Sequence, residues 1–374
     1  MVLYAGSPIA EIISAAQKDV RYEGHNLTWW NSGSFYRYPA LLINYFHQNK
    51  PFNFRQSMRV PPDVTVIGDS GGYEILSMRA KGKPTNINPL QVLKWHETNC
   101  DIGMTLDLSP VNLQPTGNGG KSVATNPNPI SHEEFEKRLE QTCYNNQVFQ
   151  DNRTNPHLKI YNVIHSGMGK TESISIWYER VKDFKFEGWA IAPKPPSDPV
   201  KVAIDGMFLW DRGVRNNLHV LGISGINVLP VLVYMEKYIK HISTDSFSYG
   251  VNAIVRKHMN LLGPPDFFYR PKERKYSRIP CLCPVCSNLK SVEDLYRTDI
   301  PGYSLIALHN LWQYLQYLKY LETLVEDREG FNKYVKNKSS KLKTAIDFID
   351  NTVANGWETA ISKLGMVGQS LERW

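Results

Sequence analysis

Along the chain, short apolar runs recur, and each ends in polar or glycine residues. VTVIGDSGG covers 64–72, DIGMTLDLSP 101–110, KIYNVIHSG 159–167, GWAIAP 188–193, LHVLGISG 218–225 and HISTDSFSYG 241–250. Runs of this length, closed by turn residues, predict strands. Between them lie stretches with helical periodicity. SHEEFEKRLEQTCYNNQVF opens with Ser131 and Glu134 at capping-box spacing, and SISIWYERVKDF, DPVKVAIDGMFLWDRG and LPVLVYMEKYIKHI follow. Strands alternating with helices predict βα units and a parallel sheet. So many units within about 270 residues favour closure as an α/β fold of the (β/α)8 TIM-barrel type. A doubly wound open sheet is the alternative, weakened because no dinucleotide glycine fingerprint is present.

The segment 110–129, PVNLQPTGNGGKSVATNPNP, is rich in Pro, Gly and Asn and predicts a long loop after a strand. In a barrel such a loop lies over the catalytic face. The tail predicts two helices, GYSLIALHNLWQYLQYLKYLETLVED and KLKTAIDFIDNTVANGWETAISKL. No internal repeat is visible.

The chain has five cysteines, and three of them fall in CLCPVC at Cys281, Cys283 and Cys286. Their sulfurs are too close in sequence to pair without strain. A redox CxxC would follow a thioredoxin-like βαβ pattern, which is missing here. A metal fits better, because Zn2+ takes four N or S ligands in a tetrahedron. His309, on the downstream helix, is the candidate for the fourth. A histidine on an apolar helix face is ordinarily a core histidine, but the CxCxxC upstream reverses that expectation. Four protein ligands leave no open position, so the zinc is expected to be structural. This divides the chain into a barrel core (1–278), a zinc-binding subdomain (279–328) and a C-terminal helical segment (329–374) packing on the barrel.

The formal charge of +7 is mild over 374 residues, but its distribution is uneven. Arg270, Lys272, Arg274, Lys275 and Arg278 interleave with Phe267, Phe268, Tyr269 and Tyr276 in FFYRPKERKYSR. Cations bind phosphates and aromatic faces stack on unpaired bases, so the patch is a candidate nucleic-acid contact, with a solvated loop as the plainer reading. The N-terminal MVLYAGSPIAEIISAAQKDVR lacks a basic start before an apolar run, so no signal peptide is expected. No stretch approaches the roughly 20 apolar residues of a membrane helix, so no membrane partner is expected. Free thiols beside a thiolate site point to a reducing compartment, the cytoplasm.

Three predicted strand ends carry a carboxylate: Asp69 in GDSGG, Asp107 in TLDLSP and Asp245 in STDSFS. One such residue could simply cap a turn. Three converging on a barrel mouth point to a site for a centre that gains positive charge, or for a base with N–H donors. Gly71 and Gly72, after Ser70, would let the backbone approach a flat ligand. His165 ends another strand; it either reads the base or is structural. Asp101, His96 and His219 read as structural polar residues.

VIGDSGGYEILSM, then TLDLSP, then TDS, then CLCPVC with LHNL, resembles the tRNA-guanine transglycosylase superfamily. The similar segments run from about 64 to 313. The resemblance implies a (β/α)8 barrel with a zinc subdomain and a base-exchange chemistry. It implies that Asp245 is the nucleophile that attacks C1′, and that Asp69 is the general acid/base. It also implies that Asp107 accepts hydrogen bonds from the base, with Ser70 and Gly71 lining the pocket.

The departures from the bacterial tRNA enzymes fall on the pocket. Glu74 stands for their Gln, and Ile164-His165-Ser166-Gly167 for a Val-Gln-Gly strand end. AIAPKPP at 190–196 replaces a Gly-Gly-Leu-Ala-Val-Gly-Glu segment, and Asp245 is followed by Ser246, Phe247 and Ser248. This pattern is more similar to the DNA-guanine transglycosylases of bacteria and phages. The expected substrates are then DNA and a 7-deazaguanine base such as 7-cyano-7-deazaguanine. Action on tRNA is the alternative, followed by a non-catalytic partner subunit and a zinc-stapled DNA-binding module. A homodimer is compatible with the resemblance.

Overall fold

The computed structural model describes residues 1–6, 8–48, 53–83, 87–115, 123–166, 172–193, 195, 197–223, 225–259, 261 and 281–367. Eight parallel strands close into a barrel: β1 (Val2–Ala5), β2 (Ala40–Asn44), β3 (Thr65–Asp69), β4 (Ile102–Met104), β5 (Lys159–Ile164), β6 (Gly188–Ile191), β7 (Asn216–Val220) and β8 (Lys240–Ser246). Neighbours in the barrel are neighbours in sequence, and β8 returns to β1 with Tyr4 beside Asp245. Helices follow the strands, among them Gly72–Ala80 after β3, His132–Asn152 between β4 and β5, Pro199–Asp211 after β6 and Leu229–Met235 after β7.

Six of these strands fall on the runs read from the sequence. The other two, VLYA and ALLIN, are too short and too closely followed by Gly-Ser-Pro or aromatic residues to stand out. The 110–129 segment is a correction: its backbone pairs as an antiparallel hairpin, Val111–Pro115 with Val123–Pro129. The last predicted helix is another, since it breaks at Gly356 (φ 81°) into Ser340–Asn355 and Trp357–Val367. Lys240–Ser246 is strand throughout, so the preceding helix stops at Met235, earlier than its apolar period suggested.

Strand side chains alternate with period two. Tyr4, Ala40, Leu42, Ile67, Met104, Tyr161, Val163 and Ala190 fill the barrel interior. The same alternation carries Asn44, Asp69 and His165, two residues beyond Leu42, Ile67 and Val163, to the inner face at the carboxyl end. A larger apolar core lies between strands and helices, with Trp29, Trp30, Trp177 and Phe208 fully buried.

Helix Ile300–Glu326 packs against the helices Ala10–Lys18, Leu229–Met235 and Ser248–Ile254. Helix Ser340–Asn355 packs on Pro199–Asp211. Ser131 caps the long helix His132–Asn152 by accepting from Glu134 N at 3.2 Å. Glu134 does not reach back to complete a capping box in its side-chain contact with Arg138; its Oε1 accepts from Arg138 Nε at 2.7 Å. Arg138, buried, then donates to Ser109 O at 2.8 Å, Val111 O at 2.7 Å and Asn112 Oδ1 at 2.6 Å. One guanidinium thus fastens the start of the hairpin to the barrel.

Replacing Arg138 leaves those buried acceptors without donors, which costs about 1–3 kcal/mol for each such group. Arg138→Met is expected to lower unfolding stability by roughly 2–4 kcal/mol in urea titration. A loss under about 0.5 kcal/mol would mean that the hairpin is held by other contacts.

Candidate active site and metal centre

Three carboxylates gather at the carboxyl end of the barrel. Asp69 ends β3, half-buried, and its two oxygens are held separately. Oδ2 accepts from Asn44 Nδ2 at 2.7 Å across the β2–β3 pair, and Oδ1 accepts from Gly71 N at 3.0 Å. Gly71 has φ 89°, and a Cβ there would lie 2.2 Å from Cδ2 of Phe46. Only glycine fits, both for the left-handed backbone and for the space. Ser70 is buried and donates to Thr105 O at 3.0 Å, so its hydroxyl ties β3 to the segment after β4.

That segment carries Asp107. It is pinned by Thr105 N to Tyr161 O at 3.0 Å, Asn145 Nδ2 to Leu106 O at 2.8 Å and Leu108 N to Thr142 Oγ1 at 3.1 Å. Both oxygens of Asp107 would lie 2.9 Å from a Cβ on Gly72, so the second glycine makes room for the carboxylate. Oδ2 of Asp107 is 2.6 Å from His165 Nε2. His165 ring-packs on Trp177 at 5.0 Å, and its Nδ1 has no hydrogen-bond partner among the described residues. Next to it, Ser166 donates to Asp205 Oδ2 at 2.5 Å, and Lys201 Nζ lies 3.4 Å from the other oxygen, Oδ1. Burial pushes the Asp205 carboxyl above its usual range. Asp205, inside an apolar helix, gave no signal in the sequence.

Asp245 stands on β8 with its side chain 13% exposed. Its Oδ1 accepts from Gly222 N at 2.8 Å and lies 3.3 Å from His219 Nε2. His219 is therefore a neighbour of the site and was missed by sequence reading, since an internal strand histidine carries no motif. By contrast His96 is buried behind the barrel wall, where a Cβ on Gly68 or Gly103 would strike its ring. Burial lowers its pKa to about 3. Asp101 ion-pairs with Arg55 and accepts from Val66 N at 2.7 Å.

Asp69 feels all of its acidic neighbours. Burial, then the charge of Glu74, then those of Asp245 and Asp107 push its carboxyl up to about 8 against the opposing Gly71 N–H. At neutral pH such a group carries a proton it can give away.

The second cluster is on outer elements. Cys281, Cys283, Cys286 and His309 place one ligand atom each within 4.8 Å of one another and could hold a metal ion. His309 Nδ1 lies 3.6, 3.2 and 3.3 Å from the three sulfurs. A tetrahedron with metal–sulfur bonds near 2.3 Å and metal–nitrogen near 2.0 Å has S···N edges of about 3.5 Å. Its Nε2 meets Met259 O at 2.6 Å, which puts the ring proton there and leaves Nδ1 as the ligand. Backbone N–H groups of Cys283 and Cys286 donate to the preceding cysteine sulfurs at 3.5 and 3.3 Å. His258 stacks on His309 with ring centres 3.4 Å apart and meets Cys286 Sγ at 3.4 Å. Packing three sulfurs together makes their charges compete: neighbouring thiols drive Cys281 far down and Cys286 far up from the usual range. A dication bound by all of them removes that conflict.

Of the residues expected at a site, Arg270, Lys272, Arg274, Lys275 and Arg278 lie outside the described residues. Among the described residues, no helix is long and apolar enough to cross a membrane. No model of a known protein family matches the chain, and no curated protein matches it.

The raised Asp69 pKa has a stability consequence. The unfolded carboxyl loses its proton near 3.8, while the folded one keeps it to about 8. Between those values the folded state binds the extra proton, so this contribution to stability falls as pH rises and is flat outside the window. Asn cannot ionise. Asp69→Asn is expected to gain stability relative to wild type progressively from about pH 4 to about pH 8, on top of a constant offset from the altered Gly71 contact. Urea midpoints across that range give the slope, and a pH-independent difference would rule out the raised value.

Proposed function

We propose that this protein is a base-exchange transglycosylase of the tRNA-guanine transglycosylase type, acting on DNA with a 7-deazaguanine as the incoming base. The observation that carries the reading is the trio of carboxylates at one barrel mouth, each with different hydrogen-bond partners. Asp69 holds a proton near neutrality. Among the described residues, Asp245 is held on Oδ1 alone, by Gly222 N–H and His219 Nε2. A group that gives a proton beside a group that offers a lone pair is what glycosidic exchange requires.

In the first displacement an oxygen of Asp245 forms a bond to C1′ as the C1′–N9 bond breaks. The electron pair leaves with guanine, and Asp69 supplies the proton to the departing base. In the second, Asp69 takes a proton from the incoming base, whose nitrogen bonds to C1′. The C1′–O bond then returns its pair to Asp245. Two displacements retain configuration. Asp107 accepts from the N–H edge of the base, and the Gly71–Gly72 backbone lies close to its face. The base reaches the mouth only after leaving its stack.

On this reading the barrel is of the (β/α)8 type, whose sites lie at the carboxyl ends of the strands. The metal is zinc in a structural role, held by Cys281, Cys283, Cys286 and His309. The basic segment around Arg274 meets the phosphate backbone, and the protein works in a cytoplasm, bacterial or phage-infected. DNA is favoured over tRNA by the departures at Glu74, His165 and the 190–196 segment, which all fall on the pocket while the acids remain.

Purified protein should contain about one zinc per chain by atomic emission. Cys283→Ser is expected to lose the metal and to lower the thermal midpoint. A metal-free variant with wild-type melting and exchange would overturn the structural role.

The activity test is nucleoside mass spectrometry after incubation with 7-cyano-7-deazaguanine and duplex DNA, single-stranded DNA or unmodified tRNA. A deazaguanine deoxynucleoside is expected with wild type and not with Asp245→Ala. Asp69→Ala should slow exchange about 10²- to 10⁴-fold. Product in tRNA alone would move the protein to the tRNA branch. Product in neither would overturn the transglycosylase reading.

A further inference from the structure

We infer that His219, set by Ser243, is the positioning residue for Asp245, and that Oδ2 of Asp245 is the attacking oxygen. The inference rests on the transglycosylase reading for its chemistry and on hydrogen bonding for its geometry. His219 and Ser243 are register partners on β7 and β8, and both point into the barrel. His219 is fully buried, with its ring edge-on to Tyr4 at 6.0 Å. Its two nitrogens have different neighbours: Nδ1 is 2.9 Å from Ser243 Oγ, and Nε2 is 3.3 Å from Asp245 Oδ1.

This pair of contacts selects one tautomer. A bare Nε2 would place its lone pair against a carboxylate oxygen. The proton therefore belongs on Nε2, which donates to Oδ1, and Nδ1 accepts the Ser243 hydroxyl proton. Ser243 is two residues before Asp245 on the same strand face, so the serine and the carboxylate grip one imidazole between them. Gly222 N donates to the same Oδ1 at 2.8 Å. Two donors hold Oδ1, and the structure gives Oδ2 no such donor among the described residues. The tether fixes the carboxylate plane and leaves Oδ2 to bond C1′. A nucleophile held in attack geometry avoids the entropy of finding it in each turnover.

The first experiment measures single-turnover formation of the covalent Asp245–DNA adduct, alongside steady-state exchange. His219→Phe fills the space without a donor and is expected to slow adduct formation by about tenfold to a hundredfold, with KM for the incoming base unchanged. His219→Gln keeps an N–H and is expected to recover most of the rate. Ser243→Ala, a small deletion, is expected to slow it severalfold and serves if His219→Phe does not fold. Equal adduct rates in wild type, His219→Phe and Ser243→Ala would overturn the positioning role and leave the transglycosylase reading intact.

The second readout needs no activity. In protein labelled with 15N-histidine, His219 is expected as the Nε2–H tautomer, with shifts that change in Asp245→Ala. An Nδ1–H tautomer indifferent to Asp245→Ala would overturn the tether whatever the exchange assay gives. Absence of any adduct in wild type, on DNA or tRNA, would instead overturn the transglycosylase reading and with it the assignment of Oδ2.

Discussion

The pairing of β8 with β1 is the contact on which the rest of the molecule depends. It closes the barrel, and it is the contact that brings Asp245 round to the acids on β3 and after β4. The opposite side of β1 is thinner, with Ala5 beside Leu41 as the register pair to β2. Around β1, the side chains of Tyr38 and Tyr249 donate to Leu3 O and, at 2.6 Å, to Gly6 O, and backbone Gly6 N donates to Ser246 O at 2.9 Å. Short strands cannot hold such a seam by their own ladder, so the surrounding helices hold it from outside.

That explains where the cysteine cluster sits. His309 rides on the helix Ile300–Glu326, which packs on the helices Ala10–Lys18 and Ser248–Ile254 that follow β1 and β8. The next residue, Asn310, accepts from Met259 N at 2.8 Å and donates to Tyr249 O at 3.2 Å and Lys257 O at 3.0 Å. One amide therefore ties the metal-bearing helix to the chain leaving β8. The LHNL motif thus supplies one corner of the cysteine–histidine cluster at His309 and a brace at Asn310. A cation binding Cys281, Cys283, Cys286 and His309 adds its binding energy to folding.

Much of this was legible in the sequence because motifs are local. GDSGG announces a strand, an acid at its end and glycines that let the backbone come close; that Gly71 turns left-handed against Phe46 came only with the structure. The CxCxxC spacing and His309 announce a metal cluster, which the geometry brings together. What stayed hidden depends on distance in the chain. VLYA and ALLIN are strands only because neighbours complete their ladders. The 110–129 segment reads as loop because Pro, Gly and Asn dominate it, yet Arg138 from the following helix fastens its start. His219 reads as a core histidine, and it is one, but the strand beside it carries Asp245. Register, not composition, makes it part of the site.

The crowding of acids at the mouth works against the fold. The charges of Glu74, Asp245 and Asp107 all bear on Asp69. Each acid has a different set of partners. Asp245 receives Gly222 N–H and His219. Asp107 meets His165. Asp69 has Asn44 and the Gly71 N–H, and burial and the charge of Glu74 still push its carboxyl up. Asp69 has as many hydrogen-bond partners as Asp245, so burial and the charge of Glu74, more than a shortage of donors, raise its carboxyl, and on the proposed reading that makes it the acid.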